Sequence, residues 1–178
     1  MFRTFAIAAA ALVATAAVAA AQPAAAPNDA QIAQIAHIAY TAGSLDIAAA
    51  KQALTISHNP TVRAFAEEMV RDHAAVNDQA LALVKKLGVT PEDNPTSQAL
   101  TKAADAKRAD YGKLTGKAFD LAYANNEVAY HHTVNTALET TLIPDAKNAE
   151  LKSLLETGLK LFRMHEQHAE QMVAALKK

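Results

Sequence analysis

The chain has 178 residues, with 17 Lys and Arg against 18 Asp and Glu and a net charge of −1 at pH 7. Both signs are interspersed, which leaves no electrostatic case for nucleic acid or an anionic membrane as partner. Cysteine is absent; this excludes disulfide staples, a lipid-carrying N-terminal cysteine and thiolate metal ligands, so any metal site must be built from histidine and carboxylate.

Residues 1–21 read as a secretory signal peptide. Arg3 supplies a short basic start, Phe5 to Ala20 is an apolar run broken by Thr15, and Ala19-Ala20-Ala21 before Gln22 is a small-residue cleavage site. An uncleaved anchor is the competing reading, but the run is alanine-rich and short for a span. Residues 22–29 read as a flexible lead-in and 30–178 as one helical domain. About 155 residues would remain after cleavage, enough for one core. Past residue 21 no apolar run approaches a membrane span and strand-like alternation is missing. The expected location is the periplasm.

A first helix is predicted from an Asn28 cap to about Ser57, with its inward line at Ile35, Ala39, Ala42, Asp46, Ala49, Ala53 and Ile56. Asp46 interrupts that line; another register turns Leu45 inward and puts Asp46 at the edge. The second helix has the clearest signals. Asn59 is its N-cap, Pro60 its first residue and Gly88 its stop. Val62, Ala66, Met69, Val76, Ala80, Leu83 and Leu87 form one seam, and His73 fills the slot between Met69 and Val76. The short Ser57-His58-Asn59 turn makes these two helices antiparallel neighbours.

Residues 89–115 form a long connection. Pro91, Asn94 and Pro95 break the chain, and Thr96 to Lys113 reads as a short lysine-rich helix with a modest apolar face at Leu100, Ala103, Ala104 and Tyr111. Periodicity leaves open whether it crosses the bundle. The third long helix is predicted from Gly116 to Leu142, ended by Pro144, with Leu121, Ala124, Val128, His131, Asn135, Leu138 and Leu142 inward and Glu127 one turn before His131. The fourth runs from an Asn148 cap to near Leu176 through Leu151, Leu155, Gly158, Phe162, His165, Ala169 and Met172, with His168 one turn past His165.

At about 1.5 Å per residue, Asp46, His73, His131 and His165 all fall roughly 21 to 27 Å from their helix starts, near mid-helix. In a bundle of matched helices such residues share one layer whichever way the helices point. His73, His131 and His165, with Asp46, Glu127 or His168 as further ligands, would suit a single transition-metal ion: zinc, copper, iron or nickel. The competing reading is a metal-free network in which Asp46 or Glu127 accepts from imidazole N–H groups and sets helix register. His37, His58 and His132 fall off the seams and read as solvent-facing. Tyr123 and Tyr130 read as core side chains with wet hydroxyls.

At these residues the chain resembles a known family. A-F-A-E-E-M-V-R-D-H-A-A-V-N around His73, F-D-L-A-Y-x-x-x-E-V-A-Y-H ending at His131, and F-R-M-H-E-Q-H in the last helix are similar to the exported "predicted outer membrane protein" family, domain of unknown function 4142, assigned to the ferritin-like superfamily. The likeness runs from about Ala30 to Met172. It implies an all-α, ferritin-like four-helix bundle in the periplasm, here with an extra short helix between helices two and three, and no established activity. His73, His131 and His165 fall on the family's histidine positions. Ferritins proper supply two Glu-x-x-His motifs, and none occurs here, so iron storage and di-iron oxidation are poorly supported.

The expectation is therefore a helical protein that binds a transition metal in a non-catalytic or stress-protective role. The alternative is a metal-free structural or interaction module of the cell envelope. A protein partner or a homo-oligomer fits either reading. A metalloenzyme would need an open coordination position beside a substrate pocket, of which the sequence gives no sign.

Overall fold

The computed structural model describes residues 27–178; the expected signal peptide at 1–21 lies outside the described residues. All regular structure among them is helical: α1 (Pro27–Ile56), α2 (Pro60–Leu87), α3 (Pro95–Tyr111), α4 (Gly116–Ala137), a π-helical stretch at Leu138–Leu142, α5 (Ile143–Asp145) and α6 (Ala149–Leu176). The chain is already helical at Pro27, the first described residue, so α1 takes in residues 27–29 of the expected lead-in and the expected Asn28 cap lies within it, while residues 22–26 of that lead-in lie outside the described residues.

Local chemistry explains the ends. The Asn59 side chain accepts from the Thr61 and Val62 amides, with Pro60 first in α2, and Gly88 closes that helix at φ 68°, in the left-handed region glycine enters without a Cβ clash. Asn94 and Ser97 form a reciprocal capping box at α3, and Asn148 caps α6 through the Leu151 amide. Pro144 does not end α4 abruptly. Its ring would collide with a regular turn before it, and the helix widens so that the Ile143 amide reaches the Leu138 carbonyl, five residues back.

Four long helices, α1, α2, α4 and α6, surround a common interior. Hairpins α1–α2 and α4–α6 are each antiparallel, and α2 also packs on α6. The long connection does cross. It leaves α2 beside the start of α1, where the Glu92 amide reaches the Ala33 carbonyl and Asn94 the Gln34 carbonyl. α3 then follows α1 to its far end, where Gln52 and Arg108 exchange two hydrogen bonds of 3.1 Å. α4 consequently starts near the end of α1, fastened there by a Ser57 hydroxyl donating to the buried Asp120 carboxylate, and runs antiparallel to it. α3 packs on both α1 and α4. Its own apolar face is slight: Tyr111 is buried, while Ala103 is exposed.

Two apolar clusters make the core. One gathers Ala53, Val62, Phe65, Met69, Phe119, Tyr123 and Met172 near the α1–α2 turn; the other gathers Ile32, Ile35, Leu138, Leu151, Leu155 and Phe162 at the opposite end. Between them, in sequence order along every long helix, stand Asp46, His73, Glu127 with His131, and His165, all buried. The waist of the bundle is polar.

Candidate metal centre

Each long helix brings one part of this layer. On α1, Asp46 is 1% exposed and Leu45 is half-buried, so Asp46 faces inward and the alternative register does not apply. Its Oδ2 lies 2.7 Å from His73 Nε2 on α2 and 3.8 Å from His131 Nε2 on α4. Ring centroids are 5.7 Å apart for His73 and His131, 5.3 Å for His73 and His165, and 5.4 Å for His131 and His165. One nitrogen from each of the three rings lies within 4.8 Å of one nitrogen from each of the others. Asp46, Glu127 and His131 form a second set by the same measure, so His131 belongs to both.

The rings are held from outside. His131 Nδ1 is 3.0 Å from the Glu127 carbonyl oxygen, an acceptor, which makes Nδ1 the N–H and leaves Nε2 with its lone pair. His165 Nε2 is 3.1 Å from Asp72 Oδ2; an ionised carboxylate again accepts, leaving Nδ1 bare. The Asp72 carboxylate is itself steadied by Arg71, whose Nε donates to Oδ1 at 2.8 Å. The His73 ring stacks on Phe162 with centroids 4.6 Å apart and planes 10° from parallel. His131 Nε2, His165 Nδ1, His73 Nδ1 and both oxygens of Glu127 are buried without a hydrogen-bond partner.

Such orphans are costly in a protein interior, and the charge states follow from burial. Burial lowers the pKa of His131, against the pull of Asp46. Burial also lowers His165, helped by the neighbouring His73, to about 4 despite the hydrogen bond to Asp72. Neutral imidazoles with free lone pairs are metal ligands. Burial, and then the charge of Asp46, push Glu127 well above the ordinary carboxylate range. Burial, the largest single influence, would raise Asp46 too, but His73 foremost, together with His131 and Glu127, outweighs it and holds Asp46 low. The two acids are thus pushed in opposite directions, Glu127 towards its neutral form and Asp46 towards its ionised one.

Not every expected ligand is brought in. His168 is half exposed at the surface, where its Nδ1 meets Glu68 at 3.1 Å. One turn along α6 rotates it off the seam, and it does not join the layer. Glu68, Asp72 and His165 form a third possible ligand set on that outer face of α2 and α6. His58 and His132 are exposed as expected, and His37 is half-buried. Tyr130 is tied up, its hydroxyl donating to the Ala42 carbonyl at 2.7 Å. Tyr123 departs from expectation: the whole residue is buried and its hydroxyl is unpartnered.

Asp72 was not legible as part of the site. It precedes His73 and so points about 100° around the helix, off the seam that singled out His73. Asn77, buried and donating to Ser44 Oγ at 3.1 Å, and Asn135, donating to Glu166 at 2.7 Å, add polar contacts across the helix pairs.

A family model described as Domain of unknown function (DUF4142) matches residues 14–172. No curated protein and no solved structure matches the chain.

Proposed function

The chain belongs to that family, and from this footing we propose that it is an exported, ferritin-like bundle that holds one transition-metal ion at its waist. His73, His131 and His165 are the ligands, with Asp46 and Glu127 next to them, in a non-catalytic or stress-protective role. One observation carries the reading: His131 and His165 each have one ring nitrogen anchored away from the layer, to a backbone carbonyl and to a carboxylate, and the other buried without a partner. Metal-binding histidines are oriented in this way. Nitrogen-rich ligation suits zinc, copper, iron or nickel.

Two hairpins joined by one long crossover are the connectivity of ferritin-like folds, which supports that assignment. The basic start, apolar run and small-residue site at 1–21 support export to the periplasm. Among the described residues no helix is long and apolar enough to cross a membrane.

Elemental analysis of protein purified without an affinity tag, set beside a His73→Ala/His165→Ala variant, tests the proposal. About one ion per chain in the first and none in the second is the expected result. Equal, substoichiometric metal in both overturns it. The 2.7 Å approach of Asp46 to His73 supports a second reading, a metal-free buried pair that sets helix register. Under that reading a chelator leaves the thermal midpoint of the intact protein unchanged.

A further inference from the structure

Beyond the rings, on the side away from the α1–α2 turn, the bundle interior is not filled. A cavity of about 80 Å³ lies there, with wall residues from α1, α2, α4 and α6 and with Leu100 of α3 at its edge. Small residues on facing helices create it: Ala39, Ala42 and Gly43 on α1, Ala80 on α2, Ala137 on α4 and Gly158 on α6. Leucine-sized side chains there would close it at native packing density.

The walls are almost wholly apolar, and their polar members are mostly committed elsewhere. Tyr130 donates to the Ala42 carbonyl and Asn77 to Ser44. What remains is the imidazoles of His73 and His131, which form part of the wall. A charged or strongly polar guest would lose its hydration with too few partners in return. Water would fit, since one molecule needs only about 10–15 Å³ and two to four polar partners; the unpartnered ring nitrogens of His73 and His131 could hold one at the ring end, but the rest of the wall is almost wholly apolar. The pocket is partly open towards the surface, so a guest can enter, and apolar cavities of this kind take up xenon or small hydrocarbons.

We infer that this chamber binds a small, uncharged, apolar molecule, of about the size of a dissolved gas, against the rings of His73 and His131. It is a site for a ligand and needs no ion to form. With an ion in the layer, the guest would sit beside its ligands.

Xenon dissolved in chelator-treated protein is the probe. The methyl resonances of Val76, Val134, Leu138 and Leu155 are expected to shift saturably with xenon pressure. Ala39→Leu should abolish that response, and Gly158→Ala should weaken it. The second variant is mild, because a Cβ at Gly158 would meet Phe162 at 3.4 and 3.7 Å, ordinary contact distances. If Ala39→Leu does not fold, Gly158→Ala decides alone. Methyl groups that do not respond in the wild type, that show contacts to bound water in place of a xenon shift, or that respond equally in the folded variants overturn the inference. Loss of metal binding in the His73→Ala/His165→Ala pair bears on the ion alone and leaves the xenon result standing.

Discussion

Asp72 Oδ2 lies 3.1 Å from His165 Nε2, so a carboxylate at the rim of α2 holds by its N–H a ring that belongs to the buried layer. Asp72 and His73 are adjacent in sequence and serve this layer from two directions. His73 enters it, and Asp72 orients a ring from the opposite helix pair.

Removing that anchor separates orientation from ligation. Asp72→Ala should keep the helical fold, because the Asp72 side chain lies at the edge of the layer, 17% exposed and outside both apolar clusters, while weakening metal binding by roughly 10- to 100-fold, the usual cost of losing a ligand's hydrogen-bond partner. Competition against a chromophoric chelator, with circular dichroism as the folding check, measures it. Unchanged affinity would mean that the Asp72 contact is a surface pair without influence on the ring.

Glu127 carries the opposite expectation. Its carboxyl is buried beside ionised Asp46, both its oxygens lack partners, and its pKa stands well above the ordinary value. A raised pKa favours folding below the unfolded value near 4.5, and that favour is lost as pH rises through the folded value. At neutral pH the unfolded chain gains by ionising, so Glu127→Gln should stabilise the metal-free protein. Urea melts at pH 7 with chelator present test this. A destabilised variant would place a needed negative charge at Glu127.

His165 sets an acid limit. Its folded pKa of about 4 lies below the ordinary 6.5, so between those values the unfolded chain takes up the proton first. The contribution is complete above pH 6.5 and is lost as pH falls toward 4. Metal-free protein should lose roughly 3 kcal/mol across that window from this group. His165→Gln should show a flatter profile in pH-dependent denaturation. Identical slopes would assign the loss to other groups.

Core packing near the layer can be weakened without touching it. Met69 is fully buried one turn before His73, in the cluster with Phe65, Phe119 and Tyr123. Met69→Ala should cost about 2–5 kcal/mol. Metal stoichiometry should be unchanged in the folded fraction. Thermal denaturation paired with elemental analysis checks both, and a loss of metal with little loss of stability would show that Met69 sets the position of His73.

Much of this was legible in one dimension. Helical periodicity, the Asn59 and Asn148 caps and the Gly88 stop arise from contacts within a few residues, so they could be read from the chain and they recur in the structure. The shared height of Asp46, His73, His131 and His165 was also readable, because rise per residue and matched helix length place mid-helix residues in one layer whatever the topology. Packing decided the rest. Which face Asp46 takes, and the path of α3 along α1, depend on neighbours far away in sequence. So do the surface position of His168 and the reach of Asp72 to His165. A carboxylate 93 positions from its imidazole leaves no local pattern, since that pairing exists only once α2 and α6 lie side by side. The chamber beside the rings is of the same kind: alanine and glycine favour or permit a helix locally, and only four helices brought together turn their small side chains into space.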